Sequence, residues 1–412
     1  MKKITYILAI LIFALSGNIS AQDVLNQYLK TAAENNPGLK AKFNEYHAAL
    51  EKVPQVGALP DPTIAFGYFI QPVETKVGPQ QAKISISQMF PWFGTLKNLE
   101  NTAESFAKAK FELFEETKSK LFYDVKSTYY NLYFAHKAIG ITTDNITILE
   151  SFKNLANIKV ESGLVSSVDV FRIEMEINDL ENQLALLKDE LWTLKVKFNN
   201  LLNVDDNSTI SITDTLLGNS FTKSKEAILD SISKNNNLLS GFDYQIEALQ
   251  YRENAALKAG MPKISIGLDY TLIGDGINTI SNSGQDAFMF PKLGIVVPLY
   301  RKKYRAMVQE VVYLQQAKTE EKQDKVNMLE TFLETFWKDY QDASRRISLY
   351  QKQTDLAERS MSILEVEYAT NGKNFEEILR MERKLLKYAL ELQKAISDRE
   401  AAIAFINYLQ GQ

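Results

Sequence analysis

The side chains that most often perform catalysis or bind metals are scarce in this sequence and widely spaced. It contains two histidines, His47 and His136, no cysteine and nine dispersed methionines, so no group has the spacing of a metal site. Thiolate chemistry and disulfides are excluded, and a Ser/His/Asp arrangement has only those two histidines to draw upon. Glycine-rich phosphate loops are absent, and paired carboxylates occur only as helix-surface charges. We therefore predict a protein that is not an enzyme and has no metal ligands or cofactors.

The charge pattern and the first residues indicate a protein of the cell envelope. The formal net charge is −4 over 412 residues, with basic and acidic residues interspersed, which argues against nucleic acid as a partner. A basic pair, a short apolar stretch and small residues before Gln22 are typical of a secretory signal peptide, which we predict at residues 1–21. No later run of about 20 apolar residues follows, so an α-helical membrane protein is not expected. Without a cysteine to carry lipid, anchoring must come from protein surface alone.

The positions of proline predict two very long helices. All ten prolines lie between Pro37 and Pro91 or between Pro262 and Pro298, and proline interrupts helices more strongly than any other residue. The stretch from Gly94 to Lys159 has one internal glycine, and that from Arg301 to Asn371 has neither proline nor glycine. At about 1.5 Å per residue, each stretch would extend on the order of 100 Å.

Apolar residues in the predicted helices alternate steps of three and four, which is the spacing of a coiled-coil seam. Such stripes are expected to be buried helix faces. Their length and number indicate how the helices pack, and they do not indicate a chemical site. The unbroken stripes run from Val170 to Leu201, from Leu329 to Tyr350 and from Ile378 to Ala395.

The two halves of the chain repeat one order of features, which indicates an internal duplication of about two hundred residues. Pro91 before the first long helix corresponds to Pro298 before the second, and Gly163 corresponds to Gly372. Each half is predicted as helix, two strands, long helix, glycine turn and helix. The expected division is a signal peptide at 1–21, a first repeat at 22–202, a polar linker or equatorial segment at 203–224 and a second repeat at 225–412.

Each half also carries one candidate β-hairpin with an apolar and a polar face. Residues 263–273 alternate apolar and polar side chains at the strand period of two, and residues 64–71, 83–87 and 292–299 do so in part. Strands of about ten residues with this alternation match those of membrane barrels, although an ordinary buried sheet stays an equal alternative. Aromatic residues lie near the strand ends, as in a membrane-interface girdle: Phe69, Phe90, Trp92, Phe93, Phe288, Phe290 and Tyr300.

Four strands cannot close a barrel, and an open sheet edge in lipid leaves backbone groups unpaired at several kcal/mol each. Two copies would give a barrel filled by its own side chains, whereas three would give twelve strands and leave a lumen. The expected fold class is α+β, mostly α. It combines a long coiled-coil helical barrel with four β-strands per chain, which contribute to a shared 12-stranded trimeric transmembrane β-barrel.

Several strings and their order resemble the TolC-like outer-membrane efflux protein family over the whole mature chain. They are Asn36-Pro37, Gly57-Ala58-Leu59-Pro60-Asp61-Pro62, Ser87-Gln88-Met89-Phe90-Pro91-Trp92-Phe93-Gly94, and Ser162-Gly163-Leu164-Val165 with Asp169-Val170. The resemblance implies a homotrimer in outer-membrane lipid that extends into the periplasm and meets a periplasmic adaptor protein and an inner-membrane pump.

Particular positions carry the implied roles. Gly163, Leu164 and Val165 would form the adaptor-docking tip, with Gly372 and Lys373 as its counterpart in the second repeat. The second turn departs from the family pattern, because it lacks the apolar residues of the first and Arg380 stands where an acidic residue is often found. The implied pore-gate carboxylates are Asp169, Glu376 and Glu377.

Threefold symmetry would turn each gate carboxylate into a ring, which favours cations and makes a gate sensitive to pH and ions. An equal alternative is that these acids only stabilise the first turn of a returning helix through its dipole.

The predicted function is a passive outer-membrane exit duct of a tripartite efflux or secretion system, exporting small molecules from the cell or periplasm. The alternative is a periplasmic coiled-coil scaffold of the envelope without a channel. That scaffold would explain the long helices but not paired amphipathic hairpins at equivalent places in both halves. A detergent-extracted, heat-resistant trimer would favour the duct, and a soluble periplasmic protein would favour the scaffold.

Overall fold

The structure is a computed structural model that describes residues 21–216, 221, 224–276, 284–371 and 375–412. The predicted signal peptide lies outside the described residues, apart from Ala21. None of the described helices is long and apolar enough to cross a membrane. In chain order the elements are α1 (Ala21–Asn35), α2 (Pro37–Leu50), α3 (Lys52–Gly57), β1 (Thr63–Thr75), β2 (Gly78–Phe90), α4 (Thr95–Glu161), α5 (Ser167–Leu202), α6 (Lys225–Asn235), α7 (Asn237–Ala259), β3 (Lys263–Ile273), β4 (Ala287–Val296), α8 (Arg301–Asn371) and α9 (Phe375–Leu409).

The two long helices predicted from the proline positions are confirmed. Helix α4 has 67 residues and helix α8 has 71, several times the usual helix length. The internal glycine of α4, Gly140, has nothing within 4 Å of the place where a Cβ would stand. Its effect is therefore the local loss of helix propensity, which the rest of so long a helix can absorb.

Helices, two strands, a long helix and a shorter helix follow in the same order in each half of the chain. The shorter helices α5 and α9 are nearly equal, with 36 and 35 residues. The boundaries proposed for the two repeats and the linker stay predictions.

The chain forms two compact units, each built from segments of both halves. Of the described residues, the helical unit contains 21–41, 115–216, 221, 224–236, 327–371 and 375–412, and the sheet unit contains 42–114, 237–276 and 284–326. Within the helical unit, α4, α5, α8 and α9 share one hydrophobic cluster. Its fully or almost fully buried members are Leu149, Ala156, Ile173, Ile177, Leu180, Met361, Tyr368, Phe375, Ile378 and Leu379.

The predicted coiled-coil stripes provide the buried faces of this unit. In α5, Ile173 and Phe198 are buried, and the stripe residues between Leu184 and Leu194 are half-buried. The stripes that begin at Leu329 and at Ile378 are likewise buried or half-buried throughout. Periodicity alone therefore identified the core faces correctly, because burying one helix side requires this spacing.

The sheet unit holds one four-stranded antiparallel sheet in the order β1-β2-β3-β4. The two predicted hairpins are present, and β2 pairs with β3 to join them. Strand β4 runs from Ala287 to Val296 rather than over the predicted 292–299. It ends two residues before Pro298, whose nitrogen has no hydrogen to donate to the ladder.

Candidate functional site

A tight turn that contains Gly163 connects helix α4 to helix α5. Gly163 has φ +68°, a conformation that glycine adopts without steric penalty. The N–H of Gly163 donates to the carbonyl of Val160, and that of Leu164 to the carbonyl of Lys159, both at 2.9 Å. These two bonds form the Schellman motif that ends a helix. The hydroxyl of Ser166 then accepts from the N–H of Val168 at 3.2 Å and caps α5.

The three tip residues predicted in this turn have different environments. The Leu164 side chain is 68% exposed. Val165 is half-buried and packs against the hydrophobic cluster of the helical unit. Leu164 is therefore available to a partner, whereas Val165 holds the turn on its core. The second predicted tip, Gly372 and Lys373, lies outside the described residues.

A buried lysine, which was not among the predicted site residues, joins the ends of α4 and α8. The Lys159 ammonium donates to the backbone carbonyl of Tyr368 at 2.6 Å and lies 4.3 Å from the centre of the Tyr368 ring. Both side chains are almost fully buried. The only signal was a basic residue in the last turn of α4, where a cation complements the helix dipole.

The Tyr368 hydroxyl is buried without a hydrogen-bond partner in the described structure. Burial, and to a lesser degree the charge of Asp169, raises the pKa of that hydroxyl. The group therefore stays neutral, and the ring can serve as an apolar wall for the lysine ammonium.

The predicted gate carboxylates belong to a network of ion pairs that involves arginines. Asp169 lies 3.5 Å from Arg172, and the same Nη1 atom of Arg172 lies 3.7 Å from Glu376. The structure therefore brings Asp169 at the start of α5 and Glu376 at the start of α9 to one cation. Glu377 is paired with Arg380 instead. Arg172 was missed by the sequence analysis, because only tertiary packing places α9 beside it.

The sheet has one apolar and one polar face, and the apolar face is uncovered. Residues opposite one another across the strands share a face, as in the pairs Ile84–Tyr270 and Ile264–Ile295. A face of this size exposed on a single chain indicates an interaction surface. Its exposed members are Ile64, Phe66, Tyr68, Ile84, Ile86, Ile264, Ile266, Tyr270, Leu272, Phe288, Leu293 and Ile295.

Among the described residues, no cluster of three or more histidine or acidic side chains could hold a metal ion.

Comparison with known proteins agrees with this architecture. Residues 28–203 match the family model described as outer membrane efflux protein. Toxin and drug export protein A of Aggregatibacter actinomycetemcomitans is 24% identical over 195 residues, which are 47% of this chain and 42% of that relative. The match thus spans less than half the length of this curated relative.

Solved structures match over almost the whole chain. The outer-membrane channel OprN has a TM-score of 0.77 at 16% identity, covering 94% of this chain and 90% of its own. The outer membrane protein VceC of Vibrio cholerae has a TM-score of 0.76 at 13% identity, covering 95% of this chain and 98% of its own. The fold is therefore that of the TolC-like channels.

Residues 28–203 thus resemble the outer membrane efflux protein family, and the chain has the fold of these outer-membrane channels.

Proposed function

We propose that three copies of this chain form a passive exit duct through the outer membrane, which serves a tripartite efflux or secretion system. The observation that carries this proposal is the uncovered apolar face of a sheet with two unpaired edges. In the part of the chain that the structure describes, β1 and β4 each pair on one side only. Lipid can cover the apolar face, but it cannot satisfy the backbone groups of the two edges.

The strand directions allow neighbouring copies to satisfy those edges. All three pairings in the sheet are antiparallel, so β1 and β4 run in opposite directions. The β4 edge of one copy therefore meets the β1 edge of the next in antiparallel register, as bacterial barrels require. Three copies give twelve strands and a water-filled lumen, with the polar face inward and the apolar face toward lipid.

At the helical tip, Gly163, Leu164 and Val165 form the proposed docking turn for a periplasmic adaptor protein, with Gly372 and Lys373 as a second turn. The exposure of Leu164 supports this assignment, because a rigid turn that presents an apolar side chain suits protein contact. Asp169, Glu376 and Glu377 form the proposed pore gate, with Arg172 holding the first two within one protomer.

The cargo follows from the inner-membrane pump with which such a passive duct works. A curated relative is described as a toxin and drug export protein, so small toxic compounds and drugs are the first cargo class to test. A polypeptide cargo would instead require a pump that recognises polypeptides.

Substitutions at two adjacent residues of β2, whose side chains lie on opposite faces of the sheet, test the proposed trimeric barrel. Ile86 lies on the apolar face and Ser87 on the polar face. A lysine on the lipid face near mid-membrane costs about 2–4 kcal/mol per chain, whereas a lumen-facing lysine is tolerated. We expect Ile86→Lys to abolish the detergent-extracted trimer and its conductance in planar bilayers, and Ser87→Lys to retain both. A soluble wild-type protein, or equal behaviour of the two variants, would contradict the duct.

A further inference from the structure

The polar face of the sheet carries a cluster of three charged residues that spans three strands. Asp269 of β3 lies 2.7 Å from Lys83 of β2 and 3.1 Å from Lys292 of β4, each lysine meeting a different carboxylate oxygen. Ser85, directly opposite Asp269 across the β2–β3 pair, also hydrogen-bonds the carboxylate. Both carboxylate oxygens of Asp269 thereby accept hydrogen bonds from the sheet's own groups.

The two kinds of charge differ in what they present to the surroundings. The Asp269 side chain is only 4% exposed, whereas Lys83 and Lys292 are 38% and 46% exposed. Each ammonium has three N–H donors and uses one on the carboxylate, so donors of both lysines stay free. A solute that approaches this face therefore meets ammonium groups and not the carboxylate.

The residues opposite the lysines leave room for such an approach. Gly67 stands across from Lys83, and Gly267 stands across from Lys292. Neither glycine places a side chain over its lysine. The other cross-strand neighbour of Lys83 is Thr271, whose side chain is short.

The cluster also has an excess of positive charge. Two lysines and one aspartate leave one positive charge per chain. The described strands contain two further charged residues, Glu74 and Lys263, which are of opposite sign and do not change this balance. A ring of like charges on the wall of a narrow lumen favours ions of the opposite sign inside it.

We propose that Lys83, Asp269 and Lys292 form an anion-selecting ring on the lumen wall of the barrel. The solutes that it favours are small anions and anionic organic compounds, such as carboxylates, sulfonates and phosphates. Asp269 positions both lysines and is itself shielded. This inference rests on the proposed function, because it needs the trimer with its polar face inward.

Ion selectivity of the full-length trimer in planar bilayers tests the ring. The reversal potential in a potassium chloride gradient would be compared across four chains whose cluster charge changes stepwise. Asp269→Asn carries two positive charges, wild type carries one, Lys83→Gln/Asp269→Asn/Lys292→Gln carries none, and Lys83→Gln/Lys292→Gln carries one negative charge. Because the rest of the pore is the same in all four, differences between them report the cluster alone.

We expect chloride preference to fall in that order, with larger differences in dilute salt because screening is weaker there. The control Lys83→Arg/Lys292→Arg keeps both charges and should behave as wild type. The uncharged triple variant leaves no buried carboxylate unpaired, so it assembles even where the double lysine variant does not. If the variants form conducting trimers but their reversal potentials do not follow this order, the proposed anion-selecting ring is wrong. A wild-type chain that forms neither trimer nor pore would overturn the proposed function itself.

Discussion

The Lys159 ammonium is bonded to the backbone carbonyl of Tyr368 and stacked over the ring of that same residue, at 2.6 Å and 4.3 Å respectively. One side chain thereby ties the last turn of α4 to the end of α8. This is the region where the proposed docking turns begin, so the contact determines how firmly the two helix ends are held together.

Lys159→Met should loosen this end of the helical unit. The variant keeps an apolar stem of similar length but loses a charged hydrogen bond and a cation–π contact, at a cost of about 1–3 kcal/mol. Amide hydrogen exchange of residues 364–371 should become faster while exchange in the sheet stays unchanged. Lys153, which forms a surface ion pair with Glu174, provides the control, and Lys153→Met should leave exchange at the α8 end as in wild type. If the two substitutions changed exchange at the α8 end equally, the buried Lys159–Tyr368 contact would not be what stabilises this end.

Leu164→Ser should reduce export without affecting the trimer. Leu164 contributes an exposed side chain to a turn that is held by backbone hydrogen bonds and by the Ser166 hydroxyl, so its removal takes away contact surface and not structure. Efflux of a dye or drug from intact cells would measure the effect. Leu186→Ser is the matched control, since Leu186 is also an exposed leucine but lies within α5. Normal efflux in Leu164→Ser would remove the docking assignment.

Gly163→Ala tests the shape of the same turn. A Cβ at this position meets nothing within 4 Å, so the cost arises from the left-handed backbone and amounts to about 1–2 kcal/mol. We expect intact trimers, a small drop in thermal stability and weaker efflux. Gly140→Ala, at the unobstructed glycine within α4, should instead be neutral or slightly stabilising because alanine favours helix.

Neutralising Asp169, Glu376 and Glu377 together should change single-channel conductance and lower cation preference. Arg172→Gln should act through the same residues, because it leaves Asp169 and Glu376 without their shared cation. Glu358→Gln, on the exposed surface of α8, controls for loss of a carboxylate elsewhere in the helical unit. Current traces identical to wild type in the gate variants would support the alternative, in which these acids serve only the helix dipole.

A buried carboxyl should make the helical unit more stable at mildly acidic pH. Burial raises the pKa of the Glu382 side chain, the hydrogen bond from Asn145 opposes this rise, and the nearby charge of Glu365 adds to it. The folded chain therefore binds this proton at a higher pH than the unfolded chain does. Its contribution to stability rises as pH falls from neutral through the raised pKa, and levels off below the ordinary value.

Glu382→Gln provides the test of that titration. The variant should unfold at a higher temperature than wild type at pH 7, and the difference should shrink as pH falls toward about 4.5. Melting curves at several pH values would measure it, with Glu358→Gln as the exposed control. A constant difference across pH would mean that packing, and not ionisation, distinguishes the variant.

Local features of the chain were predictable because their causes are local. The absence of proline from both long stretches determined α4 and α8, and the three-and-four spacing identified buried faces of α5, α8 and α9. Alternation in residues 263–273 predicted β3, since neighbouring side chains in a strand must face opposite ways. Gly163 marked its turn because glycine adopts the left-handed conformation without steric penalty.

Contacts between distant segments needed the folded chain. The pairing of β2 with β3 joins the two hairpins, and the β2–β3 and β3–β4 registers decide which lysines flank Asp269. A slip of one residue in either register would move the side chains of one strand to the opposite face of the sheet. Arg172 meets Glu376, and Lys159 meets Tyr368, across about two hundred positions of sequence. Periodicity determines which side of each element is buried, but the rotation and offset of one element against another arise only when side chains from distant segments pack together.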